Sequence, residues 1–431
     1  MDEILTLKEL ESKTLKEIYQ YAKTLKIPYY SQMNKKELSL AVIRAQEEKQ
    51  GFFIVEGVLD IMDQQDFGFL RPINYTPSKE DIYISGSQIK RFGLRNGDKV
   101  SGKARPPKPS ERYYGLMHVN AVNDKNPEDA KERSHFPALT PLYPDKQIVL
   151  ETEQTKVSTR IIDVVSPVGF GQRGLIVAPP KAGKTVLLKD IANGIAENYP
   201  DVELILLLID ERPEEVTDLE RTVKGEVVSS TFDQQPQNHV RVSELVLERA
   251  MRLVEDKRDV VILMDSITRL ARAYNLVIPP SGRTLSGGID PAALYKPKKF
   301  FGAARNIEEG GSLTILATAL VDTGSRMDDI IYEEFKGTGN AELHLSRELA
   351  ERRIFPAIDI KKSGTRKEEL LLSGSRVESI WKVRHAMTGE SLDFTDKFIR
   401  ALRKAKTNDE FFETFSDSPL AQPKNYRNNR R

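Results

Sequence analysis

The residues whose types and spacing best suit chemistry are Gly183, Lys184 and Thr185, which close the string GLIVAPPKAGKT at 174–185. Leu175, Ile176 and Val177 read as a buried strand; Leu187, Leu188, Ile191 and Ile195 follow at helical spacing. A strand, a tight loop and a helix in that order present backbone N–H groups and a helix N-terminus to an anion. Lys184 is placed to reach the β- and γ-phosphates of a nucleoside triphosphate, and Thr185 to ligate Mg²⁺. Lys181 and Ala182 add a second cation and a close backbone approach. The generic loop begins with glycine, where this chain has Ala178.

Phosphate chemistry needs further parts, and the chain supplies candidates in order. GFGQRG (Gly169, Phe170, Gly171, Gln172, Arg173, Gly174) precedes the strand and is expected to border the nucleotide with its backbone. VVILMD ends in Asp265, where a carboxylate at a strand end can hold the water shell of Mg²⁺. The alternative for Asp265 is a cap on the helix that SITRL begins. LILLLID leads into Glu211 and Arg212; Glu211 is the candidate for polarising the attacking water, and Arg212 for lining the nucleotide. A salt bridge between those two is the plainer reading. Arg347, Arg353 and Arg366 are candidates for an arginine offered to a neighbouring subunit, and spacing does not choose between them.

A second chemistry is stacking on bases. FGFLR at 67–71 puts Phe67, Phe69 and Arg71 on one strand face, because side chains alternate. Exposed aromatics on a small barrel form a stacking platform. Tyr83 and Glu111-Arg112-Tyr113 are placed to add polar contacts. The loops 278–290 and 321–329, rich in Gly and Ser, carry Arg283 and Arg326 and suit a grip on a polynucleotide backbone. An ordinary flexible surface loop is the alternative for each.

These residues must be held by elements of different texture. Residues 1–50 read as a small helical module, with Leu7, Leu10, Leu15, Ile18 and Ala22 near a 3–4 spacing. Residues 51–127 hold short β-like runs with frequent turns, four or five strands that suggest a small barrel. Residues 128–155 read as a charged, proline-marked linker. From 156 to 420, continuous apolar runs such as 204–209, 260–264 and 313–320 alternate with helical segments such as 241–256. That pattern marks strands buried on both faces, a parallel α/β domain. Residues 421–431 read as a basic, disordered tail.

Bulk properties narrow the setting. A chain of 431 residues can hold two or three cores. Its 65 basic and 64 acidic residues leave a net charge of +1, so nucleic-acid affinity must come from local clustering. The absence of cysteine excludes disulfides and thiolate metal sites. The acidic start and the lack of a long apolar run lead us to expect a cytoplasmic protein with no membrane partner.

With these pieces in place, the chain resembles the Rho family of bacterial transcription termination factors. GQRGLIVAPPKAGKT, LLIDERPEEVT, DSITRLARAYN, KKFFGAARNIEEGGSLTI, YEEFKGTGN and FPAIDIKKSGTRKEELL carry the resemblance. It implies an α/β, RecA-like parallel-sheet ATPase domain preceded by an OB-type β-barrel and the helical module. It implies a homohexamer that hydrolyses ATP with Mg²⁺, translocates 5′ to 3′ on pyrimidine-rich single-stranded RNA and acts on the RNA polymerase elongation complex. By the same resemblance the primary RNA site comprises Asp66, Phe67, Gly68, Phe69, Leu70, Arg71, Asp81, Ile82, Tyr83, Glu111, Arg112 and Tyr113. The secondary site comprises Arg283, Thr323 and Arg326. Glu211 is then the catalytic carboxylate, Arg366 the arginine finger, Arg353 a phosphate sensor and Phe355 the ring that stacks on adenine. Two departures stand out: arginine replaces the family's lysine at 283 and 326, and Val186 replaces a methionine beside the adenine. Two other readings stay open: another RecA-like ring (a DNA helicase or a rotary ATPase subunit), and a non-hydrolysing RNA-binding protein.

Overall fold

The computed structural model describes residues 7–25, 27, 30–48, 53–62, 65–386 and 391–415. The tail expected at 421–431 lies outside the described residues. The chain divides into two compact units, Met1–Phe136 with Glu244–Glu255, and Pro137–Ser243 with Asp256–Arg431.

In the first unit, helices Leu7–Ser12, Leu15–Thr24 and Lys35–Glu48 close over Leu10, Ile18, Ala22, Leu38 and Val42. Thr14 starts the second of these: its side chain accepts from the Glu17 N–H while Glu17 reaches back to the Thr14 backbone. Leu15, expected in this stripe, is exposed instead.

Five strands then form a closed barrel: β1 (Phe53–Ile61), β2 (Phe67–Arg71), β3 (Ile82–Ser85), β4 (Lys99–Arg105) and β5 (Tyr114–Val122), in the order β1-β2-β3-β5-β4. Alternation fills the inside with Phe53, Val55, Leu59, Leu70, Ile82, Ile84, Val100 and Ala104. The run after Ser85 is not more strand. Ser85 caps a helix over Gly86–Phe92 by accepting from the Gln88 N–H, and Gly93 ends it in a left-handed conformation.

The second unit is built on one sheet. Its strands are β6 (Pro141–Leu142), β9 (Arg173–Ala178), β10 (Glu203–Glu211), β11 (Glu226–Thr231), β12 (Asp259–Asp265), β13 (Arg305–Ile307), β14 (Ser312–Leu320), β15 (Ala341–His344) and β16 (Gly364–Thr365). The main order is β11-β10-β12-β14-β9-β15-β16. The first five of these pairings run parallel, and β16 closes the edge antiparallel. β10 shows why: Leu204 to Ile209 are all buried, as a strand covered on both faces requires. A separate ribbon joins β7 (Gln147–Ile148) to β8 (Val168–Gly169).

The segment read as a linker is therefore partly structural. β6 extends the sheet through β13, and β7 pairs with β8. The helix expected over 241–256 spans Pro236–Glu255.

Candidate functional site

Parallel strands deliver their C-terminal ends to one edge, and the nucleotide residues gather there. β9 runs into the loop, whose Gly183 has φ 89° and forms the N-cap of the helix Lys184–Asn198. That backbone geometry is the reason for glycine at this position. Asp265 ends β12, and Glu211 ends β10, the neighbouring strand. Three strands thus bring Lys184, Asp265 and Glu211 together. The Lys184 ammonium donates to Asp265 Oδ1 at 2.6 Å and to Glu211 Oε1 at 2.8 Å. Thr318, at the end of the intervening β14, donates to the same Asp265 oxygen at 2.7 Å.

The electrostatics follow from burial. Desolvation works against the Lys184 charge, but Asp265 and Glu211 outweigh it and hold the ammonium above its ordinary range. Burial pushes the Asp265 carboxyl up, and Lys184 pulls it back. Asp265 is 1 % exposed and Glu211 4 %, so an unpaired charge here would be costly. The alternative pairing of Glu211 with Arg212 is not what forms; Arg212 is exposed at the head of the helix Pro213–Thr222. Asp265 is not the cap of its following helix either, since Ser266 takes that role by accepting from the Arg269 N–H. Arg269 turns back to donate to Asp210 Oδ2 at 3.0 Å, with its second nitrogen 3.8 Å from Glu211.

Thr185 donates to Glu215 Oε2 at 3.0 Å. Among the described residues no cluster of three or more His, Cys, Asp or Glu side chains could hold a metal alone. The Thr185 hydroxyl and the Asp265 carboxylate, which meets the adjacent Lys184, fit Mg²⁺. That ion keeps waters, here between it and Asp265, and takes phosphate oxygens for the rest of its shell.

Beside the loop lies a cavity of about 430 Å³ lined by Ala182, Gly183, Val186, Leu187, Ser158, Phe355, Pro356 and Arg403, among others. Phe355 is 41 % exposed and Val186 66 %, so a ring and an aliphatic side chain border an apolar slot sized for a base. Lys181 is exposed with φ 66°, and Arg353 is exposed with φ 59° outside the cavity lining.

GFGQRG corrects the sequence reading. It sits at the start of β9, the end of the strand away from the phosphate loop. Phe170 is buried against Tyr199, with ring centroids 5.5 Å apart, and Gln172 and Arg173 bond to Asn340 and to the Thr338 and Ala304 carbonyls. These residues build the sheet's opposite end, not their own chain's nucleotide site. Gln172 and Arg173 share a second cavity, of about 290 Å³, with Arg366 and Lys367. Arg366 is thereby separated from Lys184 within the chain, while Arg347 pairs with Glu351 at 2.8 Å.

On the barrel, four rings assemble. Phe67 lies 5.8 Å from Phe69 and 5.4 Å from Tyr83, and Phe69 lies 4.9 Å from Tyr113. Phe67, Phe69 and Tyr113 are half-buried and Tyr83 is exposed. Gly68 lies between the two phenylalanines because a Cβ there would meet the Asp60 carbonyl at 2.9 Å. The remaining expectations divide. Leu70 and Ile82 point into the core, so their side chains are structural. Arg71 shares the face of Phe67 and Phe69 yet is 4 % exposed, paired with Asp60 at 2.7 Å and with Asp81. Its guanidinium supports the Phe69 ring from 5.1 Å rather than reaching solvent. Glu111 is exposed, and its bidentate bond to Arg105 holds its carboxyl down at about 2. Arg112 is exposed over the Tyr113 ring, and Asp66 pairs with Lys90.

The two arginine loops are neighbours. A Cβ on Gly287 would lie 2.8 Å from the Met327 nitrogen, so glycine lets the first loop rest on the second. Arg283 and Arg326 are exposed. Thr323 donates to Asp328 at 2.6 Å, and Arg272 grips that carboxylate with two bonds.

The chain matches the RNA-binding domain of Rho termination factor over residues 55–128 and its N-terminal domain over 9–51. Residues 158–365 match the nucleotide-binding domain of the ATP synthase alpha/beta family. It is 70% identical over 409 residues to transcription termination factor Rho of Bacillus subtilis, covering 95% of this chain and 96% of that protein. Identity to the factor of Escherichia coli K12 is 52% over 422 residues, covering 96% of this chain and all of that one. Among solved structures, the assembled ATPase EscN of enteropathogenic E. coli superimposes with a TM-score of 0.55 at 21% identity, over 74% of this chain and 79% of that one. That last likeness bears on the fold.

Proposed function

The chain belongs to the Rho family of transcription termination factors, and from that premise we propose how its residues hydrolyse ATP and hold RNA. The protein is an RNA-dependent ATPase that terminates transcription. The observation that carries the mechanism is the meeting of Lys184 with Asp265 and Glu211, within 2.8 Å, at the end of a glycine-capped loop.

Lys184 is shared between the two carboxylates. A triphosphate seated in the loop brings more negative charge to Lys184 than either carboxylate, so the ammonium turns to the β- and γ-phosphates. Glu211 is then free to accept a proton from the attacking water. Thr185 and Asp265 would hold Mg²⁺, which neutralises charge on the β- and γ-phosphate oxygens when bound. Thr318 keeps Asp265 oriented during the exchange. Phe355 stacks on the base, with Val186 opposite it. Arg366, remote from its own Lys184, acts at the site of a neighbouring subunit in a hexamer, and Arg353 senses phosphate at such a seam.

RNA enters through the barrel. Phe67, Phe69, Tyr83 and Tyr113 offer a stacking surface, and pyrimidine-rich single-stranded RNA is the proposed ligand. Arg283, Thr323 and Arg326 grip the backbone of the same strand as it is pulled 5′ to 3′. The substrate in the cell is the transcript of an RNA polymerase elongation complex, in the cytoplasm. Among the described residues no helix is long and apolar enough to cross a membrane.

ATP turnover measured with poly-pyrimidine RNA, with duplex DNA and without polymer tests this reading. RNA alone should support full turnover. Equal turnover with DNA or with nothing would point instead to another ring ATPase.

A further inference from the structure

The cavity beside the phosphate loop has a wall that comes from far along the chain. The helix Ser391–Lys404 ends there, and Arg403, in its last turn, lines the cavity together with Phe355. Arg403 donates from Nη2 to the Phe355 carbonyl at 3.1 Å. Its own carbonyl accepts from Gln154 Nε2 at 3.1 Å, which ties the helix end to the segment carrying Thr155 and Lys156, which also line the cavity.

Phe355 needs such a tether. The residue is 41 % exposed and lines the cavity, and a nucleotide gains from a ring already in place. We propose that Arg403 is a positioning residue for the nucleobase: it fixes the backbone of Phe355 so that the ring is preorganised to stack. This rests on reading the cavity as the base pocket of the ATP site. Arginine suits the task because a guanidinium stays charged and spends only part of its donor fork on one carbonyl. The contact is to the Phe355 backbone and touches no reacting atom, so it should act on binding and leave chemistry alone.

The test is a double-mutant cycle on the full-length protein with RNA, reading KM and kcat for ATP. Arg403→Ala should raise KM about fivefold, on the scale of one charge-assisted hydrogen bond partly open to solvent, and keep kcat within twofold. Arg403→Lys, which keeps the charge and one donor, should fall between. Phe355→Ala should raise KM further, and adding Arg403→Ala to it should change nothing more. The Gln154 bond uses the Arg403 backbone and survives in every variant, so a general loss of the helix would appear instead as a lowered melting temperature and kcat. An unchanged KM in Arg403→Ala, a fall in kcat alone, or additive effects in the double variant would overturn the proposal. Absence of RNA-stimulated turnover in the unmodified protein would instead overturn the ATPase reading beneath it.

Discussion

The nucleotide cluster and the aromatic face of the barrel use opposite physical means. At the cluster, Lys184, Asp265 and Glu211 are largely buried and paired with one another. On the barrel, Phe67, Phe69, Tyr83 and Tyr113 touch one another but keep part of each ring in solvent. Chemistry at a phosphate needs preorganised charge in a site poor in water, and the fold bears the desolvation cost in advance. Holding a strand of arbitrary sequence needs only π-faces that any base can meet. Charge does appear beneath the platform, in Arg71 with Asp60 and Asp81, but as support rather than as a contact for ligand.

That contrast can be broken or sharpened by mutation. The largest effect is expected from Arg366→Ala, which should lower RNA-dependent turnover by about 10³–10⁵. In mixed assemblies with unmodified chains, activity should fall faster than the mutant fraction; a proportional fall would assign the arginine to its own chain. Glu211→Gln should lower turnover by about 10²–10⁴ with ATP affinity retained in equilibrium binding. A parallel loss of binding would reduce Glu211 to an anchor for Lys184. Arg71→Ala removes the guanidinium from the buried Asp81, which keeps only its Ser78 bonds, and breaks the pair with Asp60, and should cost the barrel about 3–5 kcal/mol in denaturant unfolding. Full stability with weakened RNA binding would make Arg71 a ligand contact after all. The smallest effects come from Phe67→Ala and Phe69→Ala singly, each weakening single-stranded RNA by about 1–3 kcal/mol in a filter or anisotropy titration. Unchanged affinity would mean the rings serve packing alone.

Much of the nucleotide site was legible because its signals are local. Apolar runs mark the strands, and Asp265 and Glu211 each sit at a run's C-terminal end, so both could be placed there without knowing the sheet order. One misreading comes from strand direction and the others from pairing at long range. GFGQRG has the glycines of a phosphate-binding turn, but strand direction puts it at the wrong end of β9. Arg71 has the right parity for the aromatic face, and nothing local reveals that Asp81 will meet it. β6 and β7 are two residues long, and their partners lie beyond the reach of any pattern within 128–155. Arg403 entered the base cavity by the same route, from a helix that no motif connects to the loop. The Gly-rich character of 278–290 does not reveal that Gly287 has a steric reason, the close approach of Met327.

The central claim is that a site incomplete in one chain is completed by the next, around RNA. Mass photometry of the purified protein with poly-pyrimidine RNA and a non-hydrolysable ATP analogue tests it directly. The account predicts six-chain particles under these conditions; a population that stays monomeric would contradict it.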